Sequence, residues 1–254
     1  MKNYICFSCL VLLLTISCTK KGEYTCYSNL EIEANNVKPT VGETLVISAN
    51  TGQSIYNWSG PLNYAESKAD GSNSISFDNI KINQSGWYHC SSSLPGCNTL
   101  YDSIYIDVQY KQGNPTCALT NNYVEGDAVP ATQATYVTKS FDPSWNCKTL
   151  YASGSFGYPT YRFGFNSYNG DTEPKDGIYV THDVQAFDPF QDANVIYIQC
   201  QYSNYFFRSR AGQEVFVSHV NGKLRIAFCD LQFGGDDGNG YYFTSSFSGQ
   251  VTEQ

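Results

Sequence analysis

The sequence predicts an all-β protein of two consecutive antiparallel modules, and three observations predict it. Short runs such as "LVISA" (45–49) and "EVFVSHV" (214–220) alternate apolar and polar residues, with the period of two that a half-buried strand imposes. Gly, Asn, Asp and Pro punctuate these runs at the spacing of a sandwich or barrel, with little helical periodicity between them. Composition agrees: 21 tyrosines and 15 phenylalanines stand against one methionine, and aromatic residues favour strands. The formal charge of −8 argues against nucleic acid, whose phosphates need a basic stripe, and against binding to an anionic membrane surface.

The chain opens "MKNYICFSCLVLLLTISCTKKGE". One basic residue, Lys2, precedes an apolar run from Ile5 to Ile16, the pattern of an export signal. As a helix that run spans only about 18 Å against roughly 30 Å of hydrocarbon, too short for a transmembrane anchor. Ser17-Cys18 ends it, and this junction resembles the lipobox of bacterial lipoproteins, with Thr15 where that family usually has leucine. The resemblance implies a signal peptide over residues 1–17 and an acylated Cys18 as the mature N-terminus, followed by a tether to residue 28. An ordinary secretory signal is the alternative.

Residues 29–110 form the first module. "VGETLVISA" sets Leu45, Ile47 and Ala49 on one face, "IYNWSGP" carries Trp58, and "QSGWYHC" places Tyr88 two residues before Cys90. "YDSIYIDVQ" supplies a last strand. Together these motifs resemble an immunoglobulin-like sandwich, with Trp58 as its core tryptophan and Tyr88 as its tyrosine corner; Gln84 replaces the acidic residue usual there. "YNWSGP" and "SLPGCNT" are similar to immunoglobulin or PKD-like modules of secreted Bacteroidetes proteins. In that alignment Ala49 stands where strand B would carry a cysteine. The resemblance therefore implies that Cys90 is a buried free thiol and that Cys26 pairs with Cys97. The competing pairing is Cys90–Cys97 with Cys26 free.

Past the leader and Cys18 the remaining cysteines are Cys26, Cys90, Cys97, Cys117, Cys147, Cys200 and Cys229. Their spacing is not that of a zinc site, so the chain reads as an exported disulfide protein with one thiol left over. The last four allow three connectivities. Cys117–Cys229 with Cys147–Cys200 is favoured, because the first bridge staples the incoming segment to a central strand.

"YKQGNPT" makes residues 111–116 a linker, and residues 117–254 form an antiparallel sandwich or barrel. Asn221-Gly222 between two alternating runs is a strong hairpin signal. Its two-residue turn pairs Val220 with Lys223 and Val217 with Ile226. Val215, Val217, Leu224, Ile226 and Phe228 then share the core face, with His219 at the rim. "GQEVFVSHVNGKLRIAFCDLQF" also resembles the C-terminal module of uncharacterised Bacteroidetes lipoproteins, which implies a β-sandwich and a location but no activity.

Catalytic signals are sparse. His182-Asp183 is a poor dyad, since strand neighbours face opposite sides, and neither a GxSxG elbow nor HExxH occurs. Asp236, Asp237 and Asn239 offer hard oxygen ligands but read as a hairpin turn, and "EPKD" (173–176) reads as a charged loop; no metal or other cofactor is expected. "YSNYFFRSR" is the leading surface candidate. Tyr205 and Phe207 share one strand face and Arg208 stands beside them, an arrangement suited to sugar or peptide binding. The expected role is ligand binding or adhesion by a non-catalytic lipoprotein of the bacterial outer membrane, with a glycan or protein ligand. An envelope interaction or inhibitor protein is the alternative. A hydrolase comes last, because paired carboxylates need not be close in sequence.

Overall fold

The computed structural model describes residues 25–50, 55–166, 173–183, 192–236 and 242–254. The leader, Cys18, Asp237 and Asn239 lie outside the described residues. Within them the chain is almost wholly β. No helix among the described residues is long and apolar enough to cross a membrane.

Among the described residues seven strands build the first module: β1 (Ile32–Ala34), β2 (Leu45–Ala49), β3 (Ile55–Gly60), β4 (Tyr64–Lys68), β5 (Ser74–Phe77), β6 (Gly86–Ser93) and β7 (Leu100–Ile106). They form two antiparallel sheets, β1-β2-β5 and β4-β3-β6-β7. That is the division of an immunoglobulin sandwich into its ABE and C′CFG layers. Period-two alternation buries Leu45, Ile47 and Ala49 against Trp58, Tyr88 and Cys90 from the facing sheet. The Tyr88 hydroxyl donates to the Gln84 carbonyl at 3.0 Å. The corner therefore closes on the backbone carbonyl of Gln84, a bond that does not use the side chain at that position.

The second module holds β8 (Tyr123–Gly126), β9 (Val129–Gln133), β10 (Tyr136–Asp142), β11 (Cys147–Ser153), β12 (Thr160–Phe165), β13 (Gly177–His182), β14 (Val195–Tyr202), β15 (Tyr205–Ser209), β16 (Glu214–Val220), β17 (Lys223–Asp236) and β18 (Tyr242–Thr252). All eleven belong to one sheet, which curls around a single core. Two different inserts fill the space between β14 and β17. At one end β15 pairs with both of them, and at the other β13 joins β14 while β16 joins β17. The β13–β14 ladder is parallel. The amide of Gln254 donates to the Val137 carbonyl at 3.3 Å, bringing the end of β18 onto β10, so the sheet nearly closes.

The Asn221-Gly222 hairpin has the expected register, Val220 opposite Lys223 and Val217 opposite Ile226. Both turn residues have positive φ (52° and 77°), as a type I′ turn requires. All five expected core residues of the hairpin are buried.

Cys26–Cys97 and Cys117–Cys229 are disulfides. The expected Cys147–Cys200 bridge does not form, and Cys90, Cys147 and Cys200 are three buried thiols where one was expected. Strand geometry explains the correction. Leu150 and Ala152 point into the main core, so Cys147 points out the other side of β11, into a small cluster with Trp145, Val195 and Tyr197. Cys200 points inward, and its partner on β12 is Tyr161, near the end of that strand opposite Phe165. Opposite faces and opposite strand ends put the sulfurs beyond the roughly 7 Å Cα reach of a disulfide.

The two modules touch. Ile82 packs against both cores, and Tyr110 lies tilted against Tyr179 with centroids 5.4 Å apart. Lys111 offers its carbonyl to the Ile178 amide at 2.7 Å, and Lys81 reaches Asp192 at 3.7 Å.

Candidate functional site

The outer face of the β4-β3-β6-β7 sheet carries exposed aromatic rings on consecutive paired positions. Tyr88 and Cys90 point inward, so their neighbours Trp87 and His89 must point to solvent. On β7 the same alternation turns Tyr101, Ser103 and Tyr105 outward. Register sets Trp87 opposite Tyr105 and Ser91 opposite Tyr101. Trp87 meets Tyr105 edge-on at 5.4 Å and stacks on His89 at 6.5 Å. The rings remain open to water: Trp87 is 55 % exposed, Tyr101 75 % and Tyr105 49 %. Beside them lies a shallow depression of about 600 Å³ that includes Asn57, Ser59, His89 and Ser91. The one carboxylate there, Asp102, is engaged by the backbone amides of Ile32 and Ser103, both at 2.8 Å. This surface offers flat rings, hydroxyls and amides, which is chemistry suited to binding. Sequence reading missed it, although the tyrosine corner already fixed which residues of β6 face out.

The expected site on β15 is only partly a surface. Phe207 is 1 % exposed and packs on Phe243 and Phe247; it is core and leaves the list of ligand-binding candidates. The inside of the curled sheet claims it, because strand alternation turns Phe207 inward and Arg208 outward. Tyr205 lies at the strand end, still 43 % exposed, with its ring edge-on to Phe243. Arg208 is exposed and borders a cleft of about 340 Å³ together with Arg210, Gly234 and Tyr242.

The charged loop at 173–176 has a partner that its sequence did not reveal. His219, at the rim of the hairpin, bonds Asp176 through Nδ1 at 2.6 Å and Glu173 through Nε2 at 3.2 Å. Lys139 bridges Glu173 to Glu253. Burial alone would lower the His219 pKa, but the hydrogen bonds to Asp176 and Glu173 outweigh it and hold it above the ordinary value. Burial would likewise raise the Glu173 carboxyl, which Lys139 and His219 instead hold low. Protonated His219 therefore contributes stability that is complete below the unfolded value of about 6.5 and is lost as pH rises through the higher folded one. The native chain is expected to melt a few degrees above a His219→Gln variant near pH 6 and to lose that margin as pH rises through the raised folded value. A margin that stays constant with pH overturns the assignment.

His182 and Asp183 do approach each other, at 3.2 Å. Asp183 lies past the end of β13, where strict strand alternation no longer applies. Among the described residues no group of three or more His, Cys, Asp or Glu could hold a metal.

No protein-family model matches the chain, and no curated protein matches it. Among solved structures it is similar to the crystal structure of a mouse coronavirus receptor-binding domain complexed with its murine receptor, at 12 % identity and a TM-score of 0.26, over 76 % of this chain and 100 % of that one. It is also similar to murine CEACAM1b, at 13 % identity and a TM-score of 0.26, over 69 % of this chain and 92 % of that one. The immunoglobulin-like assignment of the first module rests on this chain's own strand order, buried tryptophan and tyrosine corner.

Proposed function

We propose that this chain is a non-catalytic, lipid-anchored binding protein of a bacterial envelope, held at the outer membrane through Cys18, and that it binds a neutral glycan on the aromatic face of its first module. The observation that carries the reading is the set of exposed rings, Trp87, Tyr101 and Tyr105, on one rigid sheet. Each ring presents a large apolar area at little entropic cost, which suits the C–H face of a sugar. The hydroxyls and amides around them suit its hydroxyl groups. Two disulfides support an exported protein, because such bonds persist in oxidising compartments. The three histidines are each engaged: His219 is clasped by carboxylates, His182 approaches Asp183, and His89 stacks on Trp87 within the face itself.

An array of bacterial envelope glycans is expected to show saturable binding of the full chain. Trp87→Ala and Tyr105→Ala should each weaken it at least about tenfold while melting stays unchanged. Undiminished binding by both variants removes this face as the site. An array silent for the native chain, with a co-purifying envelope protein lost in both variants, replaces the glycan by a protein partner.

A further inference from the structure

The cleft beside Arg208 has a composition that the aromatic face lacks. Arg208 and Arg210 are two apart on one extended segment and emerge on the same side. Across the ladder Arg208 stands opposite Gly234, and Gly234 opposite Thr244. A Cβ built on Gly234 would meet nothing within 4 Å, so bare backbone forms an open floor between the guanidinium on one side and the threonine on the other. Tyr242 stands exposed at the margin, opposite Asp236.

The charges are also unusual in an acidic protein. Of the four arginines, Arg162 is paired with Asp142 and covers Trp145, and Arg225 bonds Ser218. Arg208 and Arg210 make no side-chain hydrogen bond or ion pair among the described residues. Their backbone is fixed all the same. The amide of Arg210 donates to Gln232, and its carbonyl accepts from Thr181 and Gln213. Two guanidinium forks without a partner among the described residues, carried on a held backbone, are a receptor for planar oxyanions, which they bind bidentately.

We propose that this cleft binds the carboxylate of an acidic saccharide, at a site separate from the aromatic face of the first module. A peptide carboxylate is the less suitable occupant, because an extended peptide commonly docks by adding a strand to a free edge. The two strands that carry the arginines and the glycine floor offer no such edge: β15 is paired on both sides, and β17 lies between β15 and β18. The glycine floor, the Thr244 hydroxyl and the Tyr242 ring instead suit a flat, hydroxyl-bearing ring. Asp236, at the far end of the cleft, can accept from a sugar hydroxyl and leaves the cleft with a net positive charge.

Calorimetric titration of the full chain with a short oligogalacturonate, with its methyl ester and with polyglutamate tests the proposal. Saturable binding is expected for the acid alone. It should weaken at least about tenfold in Arg208→Ala and Arg210→Ala. Arg208→Lys should also weaken it, since lysine keeps the charge but loses the fork. Gly234→Leu, which fills the floor from an unobstructed position, should abolish it with melting unchanged, and Trp87→Ala should leave it intact. Absence of saturable binding to oligogalacturonate, equal binding of its ester, or undiminished binding by the arginine variants overturns the site. Tighter binding of polyglutamate overturns the saccharide as its ligand. Loss of oligogalacturonate binding in Trp87→Ala merges it with the aromatic face and overturns its separateness.

Discussion

Replacing Cys117 and Cys229 together by alanine is expected to lower stability by about 4–5 kcal/mol, the loop-closure contribution of a bridge over roughly a hundred residues. The two cysteines are 112 positions apart, so the bond closes nearly the whole second module and removes much of the freedom of its unfolded chain. It exists because of a local irregularity. In β17 the residues before the bridge bury even-numbered positions, Leu224, Ile226 and Phe228, and those after it bury odd-numbered ones, Leu231 and Phe233. The phase change is a bulge between Phe228 and Leu231, where β17 carries one residue more than β18. Cys229 lies in that bulge, next to inward Phe228, and thus faces out toward the segment that brings in Cys117. Urea unfolding of the double variant measures the effect. A loss below about 1 kcal/mol would show that the bridge restrains little of the unfolded ensemble.

Local alternation made much of this fold readable. It placed Leu45, Ile47 and Ala49 inside the first module, and the Asn221-Gly222 turn fixed an entire register. The same rule, applied to "WYHC" and "YDSIY", also points Trp87, Tyr101 and Tyr105 outward. The aromatic face is therefore legible in the sequence, although the ring cluster at 205–207 is the more conspicuous signal. The arginine cleft was not legible. It depends on β15 lying beside β17, so that Arg208 meets Gly234 across the ladder, and no spacing along the chain encodes that pairing. The Cys147–Cys200 expectation failed for a related reason. Counting thiols gives parity but no face, and β11 turns Cys147 away from the core that Cys200 enters.

Phe207→Ala is expected to destabilise the second module by about 3–5 kcal/mol, the usual cost of truncating a fully buried phenylalanine. Its ring lies 5.0 Å from that of Phe243 and 5.5 Å from that of Phe247, and these neighbours cannot move together to fill the space without opening the β17–β18 ladder. Tyr205→Ala should cost only about 1 kcal/mol, the worth of one edge-on aromatic contact at a half-open position. The adjacent glycines extend the argument to the backbone. Gly235 faces inward, where an added Cβ would fall 2.4 Å from the Phe243 ring and 3.0 Å from that of Phe207. Gly235→Ala should therefore cost about 1–3 kcal/mol through overpacking. At Gly234, one residue away and facing solvent, the same change meets nothing and should be neutral or stabilise by about 0.4–1 kcal/mol through loss of freedom in the unfolded chain. Chemical denaturation of the four variants decides it. Equal losses at Phe207 and Tyr205 would mean that the end of β15 is as much core as its middle. Equal losses at Gly234 and Gly235 would mean that β17 does not present the inside and outside faces assigned to it, and the arginine cleft would lose its floor along with them.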